Sequence, residues 1–491
     1  MTLDKLLAGL EPPVEAPPIP VTGLQYDSRK MGPGEVFFAF PGERVDGHQF
    51  VPEAARKGAA AIVSERGPAA TGQTVWIQVP HGREALALAA LNYYGHPDRR
   101  LALTGVTGTN GKTTTVYLID SILRTAGYTT CSFGTIEQRI AGWRQPAVNT
   151  TPESLDLVRL FVELERQRGS HATFEVSSHA LELRRVHGLQ FHTVVFTNLT
   201  RDHLDFHGTM ENYAAAKRRL MQGAGGPVPR YRVIHHGDPW GRKWEKLGGA
   251  ETLSYGLNGE AAITATKLQC DWKGVRFTAA TPVGQFAVRS PLLGKVNALN
   301  ILAAIGVGLS YGVGPEMMAA GISQCGVVPG RWERVDEGQP FSVVVDYAHT
   351  DDALRQVLRA ARELAGGGSR VITLFGCGGD RDRSKRPLMG EAAGSGSNLV
   401  VLTSDNPRSE DPLNIINDAV VGLQRTGTPY RIEPDRGRAI RLAIEQARPG
   451  DLVLLAGKGH ESYQVIGNRV LPFDDREAAR QALKELGYQR V

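Results

Sequence analysis

The chain has 491 residues, of which 41% are hydrophobic and 22% are charged, and its formal net charge is +5. This length predicts about three domains, and the ordinary composition is that of a globular protein. So mild a positive charge suits anionic small substrates as well as nucleic acid, so it excludes neither class of partner on its own.

Cysteine spacing and apolar runs bear on the cellular compartment. The cysteines lie far apart and form no CxxC pair, which argues against a disulfide framework and a zinc knuckle. The apolar run at the N-terminus is too short for a signal peptide, and no stretch approaches the ~20 apolar residues of a membrane span. We therefore expect a soluble, cytoplasmic protein that does not insert into membranes. The cysteines are Cys131, Cys270, Cys325 and Cys377.

Residues 1–98 predict a small N-terminal α/β domain. A short helical start and a stiff proline-rich segment precede short strands, a helix near 51–58 and a strand near 60–63. No catalytic constellation is evident in this part of the sequence. Ser28 and Arg29 at a strand end and the polar loop 43–46 could bind a ligand, although such turns are more often plain surface.

The segment LALTGVTGTNGKTTTVY, residues 101–117, predicts a nucleotide triphosphate site at the start of a central domain, 99–327. A strand runs into a glycine-rich turn that ends in Gly-Lys-Thr-Thr before a helix, so successive N–H groups, Lys112 and the Thr113 hydroxyl can meet phosphates and Mg²⁺. Five residues rather than four separate Gly105 from Gly111, so the motif is a GTNGKTT variant of the ordinary P-loop. A ligand-free strand-to-helix turn is the less favoured alternative.

Strands alternating with helices after this loop predict a parallel sheet with helices on both faces. Ligands of such sheets lie at the carboxyl ends of the strands, which selects Glu175 after ATFEV and the segment 198–207 after HTVVFT. Glu175 could hold Mg²⁺, or Ser177 and Ser178 could simply cap a helix. His203 and His207 have the spacing of a zinc pair, but the sequence is not HExxH and no third ligand is near.

Two further segments complete the central domain in the prediction. Lys217 lies in the basic run AAAKRRL, and the bare sequence does not separate it from its neighbours, so a solvated surface lysine is expected. Short strands near 223–290 are expected at one edge of the sheet. The segment GKVNALNILAAIGVGLSYG then predicts a helix with its asparagines on one face and an apolar face packed inward.

A turn at PGRWERV, residues 329–335, marks the boundary of a third domain, 328–491. Strand and helix patterns alternate again and predict a doubly wound, Rossmann-like sheet. The predicted strands run into polar loops, DYAHTDDAL, GCGGDRDRSKRP, SDNPRSEDP and GKGHE. Such loops at successive strand ends predict a second functional region.

Taken together, the motifs resemble those of the Mur ligases over nearly the whole chain. GTNGKTT, NTTPES, EVSSHAL, NLTRDHLDFHGTMENY, GKVNALN, PGRWERV, DYAHTDDAL, GCGGDRDRSKRP, DNPR and AGKGHE occur in the family's order and approximate spacing. The resemblance implies a UDP-substrate domain, a central ATPase domain and a C-terminal amino-acid domain. It also implies a cytoplasmic monomer of peptidoglycan synthesis, and hence of cell shape and division, acting on small molecules and not on nucleic acid.

The resemblance implies ATP-driven formation of an amide bond through an acyl phosphate. The acceptor is the D-glutamate side-chain carboxylate of UDP-N-acetylmuramoyl-L-alanyl-D-glutamate, and the incoming amino acid is meso-2,6-diaminopimelate. Phosphoryl transfer needs mainly positioning and cations around the spreading charge. Two Mg²⁺ ions are implied, with ligands from Thr113, Glu175, His203 and Lys217. Lys217 matches the family's carbamylated lysine, whose CO₂-derived carbamate is anionic and can neighbour Mg²⁺.

Site residues follow from the resemblance position by position. Catalytic roles fall on Lys112, Lys217, His203 and Glu175. ATP would contact Gly108, Thr109, Asn110, Gly111, Lys112, Thr113, Thr114, Asn300, Arg331 and Asp346. The UDP-muramoyl substrate would contact Tyr26, Ser28, Glu43, Arg44, Val45, Asn149, Thr150, Thr151, Ser177 and Arg185; Leu183 stands where many relatives have glutamine, which puts one contact in doubt. The diamino acid would contact Arg381, Asp405, Asn406, Pro407, Arg408, Gly457 and Glu461.

The identity of the amino acid depends on DNPR. Arg408 can form a forked pair with a distal carboxylate that lysine and ornithine lack, and a buried unpaired cation would penalise those substrates. The alternatives are the same reaction with L-lysine or L-ornithine, a folylpolyglutamate or cyanophycin synthetase-like ligase, and a catalytically silent nucleotide-binding scaffold. The DNPR and AGKGHE loops argue against the second, and intact Lys112, Thr113, Glu175 and His203 against the third.

Overall fold

The structure, a computed structural model, describes residues 1–42, 45–68, 72 and 74–489. Its N-terminal sheet is parallel, with strand order β1-β2-β3-β4. Apolar residues of β2 and β3 are buried on both faces of this sheet. One face packs against the 3–6 and 82–93 helices, and the other packs against the 51–56 helix. The elements are α1 (Leu3–Leu6), β1 (Gly23–Gln25), β2 (Glu35–Ala39), α2 (Val51–Arg56), β3 (Ala61–Ser64), β4 (Val75–Gln78) and α3 (Gly82–Tyr93), with 3₁₀ turns at Ser28–Lys30, Gly47–Phe50 and Pro97–Arg99.

The central part is built on one large mixed sheet with the order β15-β14-β13-β12-β11-β10-β5-β9-β6-β7-β8. Its strands are β5 (Ala102–Thr107), β6 (Thr130–Phe133), β7 (Glu137–Ile140), β8 (Trp143–Pro146), β9 (His171–Glu175), β10 (Thr193–Phe196), β11 (Tyr231–His235), β12 (Glu251–Gly256), β13 (Ile263–Asp271), β14 (Gly274–Thr281) and β15 (Gly284–Ser290). The middle strands are parallel, while β13–β15 and β6–β8 are antiparallel extensions.

Helices cover both faces of the central sheet. They are α4 (Lys112–Thr125), α5 (Ser154–Arg166), α6 (Ser178–Glu182), α7 (Leu204–His207), α8 (Met210–Met221), α9 (Pro239–Trp244), α10 (Lys295–Ser310) and α11 (Pro315–Gln324). Helix α10 is apolar almost all round because it is buried between the sheet and α4, and Asn300 donates to Asn297 on its polar side at 2.9 Å. The asparagine pair therefore lies on one face, as the spacing predicts.

The C-terminal sheet has the order β16-β17-β21-β18-β19-β20, parallel except for β16. Helices α12–α14 pack on one face and α15 and α16 on the other, which confirms the doubly wound prediction. The elements are β16 (Glu333–Val335), β17 (Ser342–Asp346), α12 (Asp351–Ala365), β18 (Val371–Phe375), α13 (Lys385–Gly396), β19 (Leu399–Leu402), α14 (Pro412–Gln424), β20 (Tyr430–Ile432), α15 (Arg436–Glu445), β21 (Leu452–Ala456), β22 (Tyr463–Ile466), β23 (Arg469–Pro472) and α16 (Asp475–Glu485).

The α/β fold class predicted from the sequence is confirmed, and two hairpins were not foreseen. Strands β7 and β8 extend the central sheet, and β22 and β23 form a separate antiparallel pair between β21 and α16. Each of these strands is only four residues long, and β8 and β23 are largely exposed, so the sequence offers no run of buried apolar residues that would mark them. Among the described residues, no helix combines the length and the apolar character needed to cross a bilayer.

Candidate functional site

The glycine-rich loop lies between β5 and α4 at the centre of the large sheet. Gly105 is inside β5, so the loop proper begins at Gly108, in keeping with the GTNGKTT variant. Gly111 caps α4 with φ of 86°, and an added Cβ would lie 2.4 Å from the Asn300 Oδ1 atom, so this position requires glycine. Lys112 folds back over the loop and donates to the carbonyls of Gly108 and Thr109 at 3.0 and 2.9 Å. Helix-terminal N–H groups and this ammonium thus face the same space.

Neighbouring strands bring the other polar groups to the same edge of the sheet. Residue Val106 pairs with Glu175 in β9, and Thr107 pairs with Phe196 in β10, so both following loops begin beside the glycine-rich loop. Glu175 is fully buried and accepts a hydrogen bond from the Thr113 hydroxyl at 2.8 Å. Carboxylate and hydroxyl oxygens together are suitable Mg²⁺ ligands. The strand-end rule used on the sequence therefore selects groups that do meet.

Lys217 is not a surface lysine, so that expectation from the bare sequence is wrong. Its side chain is 1% exposed, whereas Arg218 on the same helix is exposed. The ammonium donates to the Gly108 carbonyl at 2.8 Å and lies 4.6 Å from the centre of the Tyr213 ring. Burial, together with nearby Lys112, places the pKa of Lys217 well below its usual value. A neutral, nucleophilic amine is thereby favoured at the base of the glycine-rich loop.

His203 lies at the mouth of this region, in a left-handed conformation with φ of 53°. Its ring contacts the His179 ring at 4.8 Å between centroids, and its Nε2 atom lies 3.3 Å from the Asp202 carboxylate. Burial and the neighbouring cations lower the pKa of His203 to about 3, so its imidazole is neutral at physiological pH, which is the metal-binding form.

The spacing of His203 and His207 does not produce a zinc site. The Nε2 atom of His207 lies instead 2.9 Å from the Ser178 hydroxyl. Within the described part of the chain, no group of three or more His, Cys, Asp or Glu side chains is placed to hold a metal ion. Of the four magnesium ligands predicted from the resemblance, only Glu175 and His203 belong to these residue types, so that prediction does not require such a group.

A cavity of about 220 Å³ lies between the glycine-rich loop and the C-terminal part of the chain. Arg331 and Asp346 line it from the C-terminal side, and Asn300 from α10. The Arg331 guanidinium lies 4.6 Å from the centre of the Tyr347 ring and donates to Thr113 at 3.4 Å. Asp346 accepts from the Trp332 and Ala348 N–H groups at 3.0 and 2.8 Å, which fixes the turn after β17. Every one of the ATP residues predicted in 108–114 except Gly108 also lines this cavity.

A second cavity, of about 590 Å³, is lined by the ends of β18, β19 and β21. Predicted diamino acid residues in its wall are Arg381, Asp405, Asn406, Arg408, Gly457 and Glu461. Pro407 is buried behind the wall rather than in it. The two cavities share Asp202, His203, Tyr347 and His349 as lining residues, so they meet at the boundary between the central and C-terminal domains.

Two arginines, Arg381 and Arg408, place positive charge at one end of the larger cavity. The Arg408 Nη1 atom donates to the Gly379 carbonyl at 2.6 Å, which aims the guanidinium at the loop that carries Arg381. Burial and the nearby Arg381 lower the pKa of Arg408, although a guanidinium remains charged. Gly457 has φ of 115°, and an added Cβ would lie 2.8 Å from the Asp405 carboxylate, so glycine is required there. Paired cations of this kind favour a ligand carboxylate.

The hairpin formed by β22 and β23 holds the DNPR segment in place. The Val465 N–H donates to the Asn406 side-chain oxygen at 2.9 Å, and the Arg408 N–H donates to the Val465 carbonyl at 3.0 Å. Gln464 donates to the Asp405 carbonyl at 2.6 Å, and Tyr463 lines the cavity. Sequence reasoning missed these residues because they follow the AGKGHE motif without a motif of their own.

The predicted muramoyl-substrate residues divide between two domains. Thr151 is fully buried and donates to the Glu175 carbonyl at 2.9 Å, while Thr150 lines the smaller cavity with Ser177. Ser177 also caps α6, so the cap interpretation of its hydroxyl is correct as well. Arg185 donates to the Thr151 carbonyl at 3.2 Å. Asn149 is exposed and Leu183 half-buried.

In the N-terminal domain, hydrogen bonds within the protein engage two of the predicted residues. Ser28 donates to Glu53 at 2.8 Å, and Tyr26 donates to Asp156 of the central domain at 2.5 Å. Val45 is exposed, and Glu43 and Arg44 lie outside the described residues.

A buried ionic group missed by the sequence analysis joins these two domains. Glu153 lies 3.4 Å from Arg83 of α3 and 3.5 Å from Arg185. Arg83 also donates to the Pro41 carbonyl at 2.8 Å and stacks on Phe40. The glutamate belongs to the NTTPES motif, which was the available signal. This group positions Arg185 and the segment preceding loop 43–46 relative to each other.

Family models and curated relatives match most of the chain. The family models "Mur ligase family, catalytic domain", "Mur ligase middle domain" and "Mur ligase, glutamate ligase domain" match residues 20–94, 106–308 and 330–459. A Solibacter usitatus protein named UDP-N-acetylmuramoyl-L-alanyl-D-glutamate–2,6-diaminopimelate ligase is 56% identical over 100% of both chains. One of that name from Geobacillus thermodenitrificans is 45% identical over 95% of each. A solved structure with the same name is 34% identical, with a TM-score of 0.69 over 99% of each chain.

Proposed function

The chain belongs to the Mur ligase family, and we propose that it adds 2,6-diaminopimelate to UDP-N-acetylmuramoyl-L-alanyl-D-glutamate in peptidoglycan synthesis. Relatives that carry this name are 56% and 45% identical over almost their whole length. The observation that carries the proposal is the meeting of two cavities, one at the glycine-rich loop and one with paired arginines, on shared lining residues. Such an arrangement lets an intermediate formed beside the first be attacked from the second.

The reaction proceeds in two steps, phosphoryl transfer and then amide-bond formation, and neither step involves oxidation or reduction. An oxygen of the D-glutamate side-chain carboxylate attacks the γ-phosphorus of ATP, and the bond to ADP breaks. The amine of the diamino acid then attacks the acyl carbon, the phosphate leaves with the electron pair of the C–O bond, and the nitrogen loses a proton. Lys112 and the N–H groups at the start of α4 hold the phosphates and offset the charge that spreads over them in the transition state.

The side chains around the glycine-rich loop fit magnesium. Thr113 and Glu175 offer oxygen atoms and His203 a neutral imidazole nitrogen, and the fully buried Glu175 carboxylate lies against the loop with a hydroxyl as its partner. We assign these residues, with Lys217, to metal binding. Bound magnesium would neutralise phosphate charge during transfer.

Lys217 suits modification by CO₂. Its amine is buried and its pKa lies well below the usual value, which favours the neutral, nucleophilic form. Addition of that amine to CO₂ forms an N–C bond and releases one proton, which leaves a carbamate anion. The resulting anion attracts the neighbouring Lys112 ammonium and suits a site that also binds a metal.

The other roles follow the cavities. Asn300, Arg331 and Asp346 are assigned to the adenine and ribose of ATP. Arg381 and Arg408 are assigned to the distal carboxylate of the diamino acid, and the remaining cavity residues, Asp405, Asn406, Gly457 and Glu461, to its amine end. Thr150, Thr151, Ser177 and Arg185 would bind the muramoyl dipeptide together with the N-terminal domain. We further propose a cytoplasmic monomer.

The test is phosphate release with UDP-muramoyl-L-alanyl-D-glutamate, ATP and each of diaminopimelate, lysine and ornithine. We expect release that depends on the muramoyl substrate and favours diaminopimelate by up to ~10⁴, because lysine and ornithine leave the arginines unpaired. Equal turnover with lysine would contradict the assignment of the arginines. Activity with a folate or a cyanophycin primer in place of the muramoyl dipeptide would overturn the proposed function.

A further inference from the structure

Lys458 is a fully buried lysine that lies behind the wall of the larger cavity and has no part in the assignments made so far. Its side chain is 0% exposed, and it lies between the cavity residues Gly457 and Glu461 in the AGKGHE segment. Its ammonium lies 3.1 Å from Glu461 and 3.6 Å from Asp405. A buried lysine is uncommon unless its charge is paired.

The ammonium belongs to a network made only of the cavity's own polar groups. It donates to the Asn406 side-chain oxygen at 3.3 Å, and the Asn406 amide nitrogen donates to the same Glu461 oxygen that faces Lys458, at 3.0 Å. The Tyr463 ring lies 5.7 Å from the ammonium. Because its partners at hydrogen-bond or ion-pair distance, Glu461, Asp405 and Asn406, all line the cavity, a change in its charge acts on the cavity directly.

The charge balance of this wall depends on Lys458. Without it, Asp405 and Glu461 would present two negative charges beside the Arg381 and Arg408 pair. The Lys458 ammonium offsets one of these two carboxylate charges, so the net charge at the cavity is more positive by one. A diamino acid with two carboxylates has two ammonium groups and no net charge, whereas lysine and ornithine carry a net positive charge. A more negative cavity favours the latter.

We infer that Lys458 is a specificity-determining residue, whose buried charge lowers the affinity of the cavity for monocarboxylate diamino acids relative to 2,6-diaminopimelate. It acts through Asp405 and Glu461 and does not touch the substrate, so it is a positioning residue and not a catalytic one. Arg408 recognises the distal carboxylate by direct contact. Lys458 disfavours lysine and ornithine, which carry the second ammonium group but lack the distal carboxylate. The inference rests on the proposed function.

The experiment compares Lys458→Met, which keeps the length of the side chain and removes its charge, with Lys458→Arg, which keeps the charge. Steady-state kinetics with diaminopimelate and with L-lysine are measured for each at saturating ATP and muramoyl dipeptide. We expect the ratio of kcat/KM values, diaminopimelate over lysine, to fall by about tenfold or more in Lys458→Met, mostly through KM, and to stay within about threefold of wild type in Lys458→Arg. The KM for ATP should not change.

A reciprocal variant keeps the inference testable if Lys458→Met does not fold. Glu461→Gln removes a negative charge from the same network, so the ratio should move toward diaminopimelate even though overall activity falls. Equal losses with both substrates in Lys458→Met, or a ratio in Glu461→Gln that moves toward lysine, would overturn the inference and make Lys458 a structural residue. Failure of the wild type to turn over either diamino acid would instead refute the proposed function, so the two failures are distinguishable.

Discussion

The ion pair between Arg436 and Asp475 gives the sharpest stability prediction, because both side chains are 0% exposed. Arg436 opens α15 and Asp475 opens α16, and two parallel bonds of 2.7 and 2.6 Å join them. Arg436 also donates to the carbonyls of Ala456 at 3.0 Å and Ser404 at 3.4 Å. These carbonyls immediately precede Gly457 and Asp405 in the larger cavity. The pair therefore supports two strand ends that carry site residues.

Asp475→Asn would leave the guanidinium buried without an anion. Removing one partner of such a pair costs about 3–5 kcal/mol. Global unfolding of a three-domain chain is not two-state, so the suitable measurement is native-state hydrogen exchange of the amides in β21. Their protection should fall by between about a hundredfold and a few thousandfold, since each 1.4 kcal/mol is a factor of about ten. The KM for the diamino acid should rise as Ser404 and Ala456 lose their donor.

The chain contains a matched control on the same two helices. Arg441 of α15 and Glu485 of α16 form a second pair at 2.7 Å, but their side chains are 48% and 44% exposed. Arg441→Ala should cost at most about 1 kcal/mol because solvent screens the pair. Replacing both members of the buried pair, as Arg436→Met with Asp475→Leu, should restore most of the protection lost in Asp475→Asn. Equal protection in Asp475→Asn and Arg441→Ala would refute the reasoning.

The remaining predictions concern the reaction and its pH dependence. Lys217→Ala should lower kcat by about a hundredfold or more, and added bicarbonate should not restore activity. The control variant Arg218→Ala, at an exposed residue of the same helix, should stay within about twofold of wild type. Full activity in Lys217→Ala would refute the assignment of Lys217 to metal binding. Lys112→Ala should lower kcat in the phosphate-release assay by about 10² or more, and unchanged ligation would contradict the mechanism. Arg408→Ala should raise the KM for diaminopimelate by about a hundredfold and leave the Kd for ATP, measured without the diamino acid, unchanged. A changed Kd for ATP under these conditions would place Arg408 elsewhere. Burial lowers the pKa of His171 to about 4 from 6.5, so between these pH values the unfolded state binds more protons and stability falls as pH falls, by about 3 kcal/mol at most. His171→Phe should flatten the pH dependence of native-state hydrogen-exchange protection in β9 over this range, and an unchanged slope would contradict the reasoning.

The sequence predicted the sheets and the strand-end loops well because both depend on local patterns. Apolar runs separated by amphipathic helices define parallel strands whatever their order in the sheet, and the carboxyl-end rule then selects Glu175 and the 198–207 loop without knowledge of that order. The register of Val106 with Glu175 shows why the rule succeeds here: β5 and β9 are direct neighbours.

Burial of single charged residues could not be predicted in the same way. Lys217 and Arg218 are adjacent on α8 and alike in sequence, yet one lies under the glycine-rich loop and the other in solvent. The difference depends on the rotation of α8 against β5 and on the helix α6 packed beside it, which are tertiary facts. The family resemblance selected Lys217, which local reasoning had treated as a surface lysine. Neither approach selected Lys458, because only its neighbours Gly457 and Glu461 match the family's pattern for binding the amino acid.

The glycine-rich loop is completed from the other end of the chain. Asn110 within it donates to Asp352 of α12 at 3.2 Å, and Arg331 reaches Thr113 at 3.4 Å. Both contacts cross between the central and C-terminal parts of the chain, so the arrangement of the loop and the position of the larger cavity are linked. A nucleotide that contacts Arg331 and the loop together would hold the two domains close enough for the amine of the diamino acid to reach the acyl carbon. Binding of ATP is therefore expected to raise affinity for the diamino acid, and by linkage the diamino acid should raise affinity for ATP by the same factor.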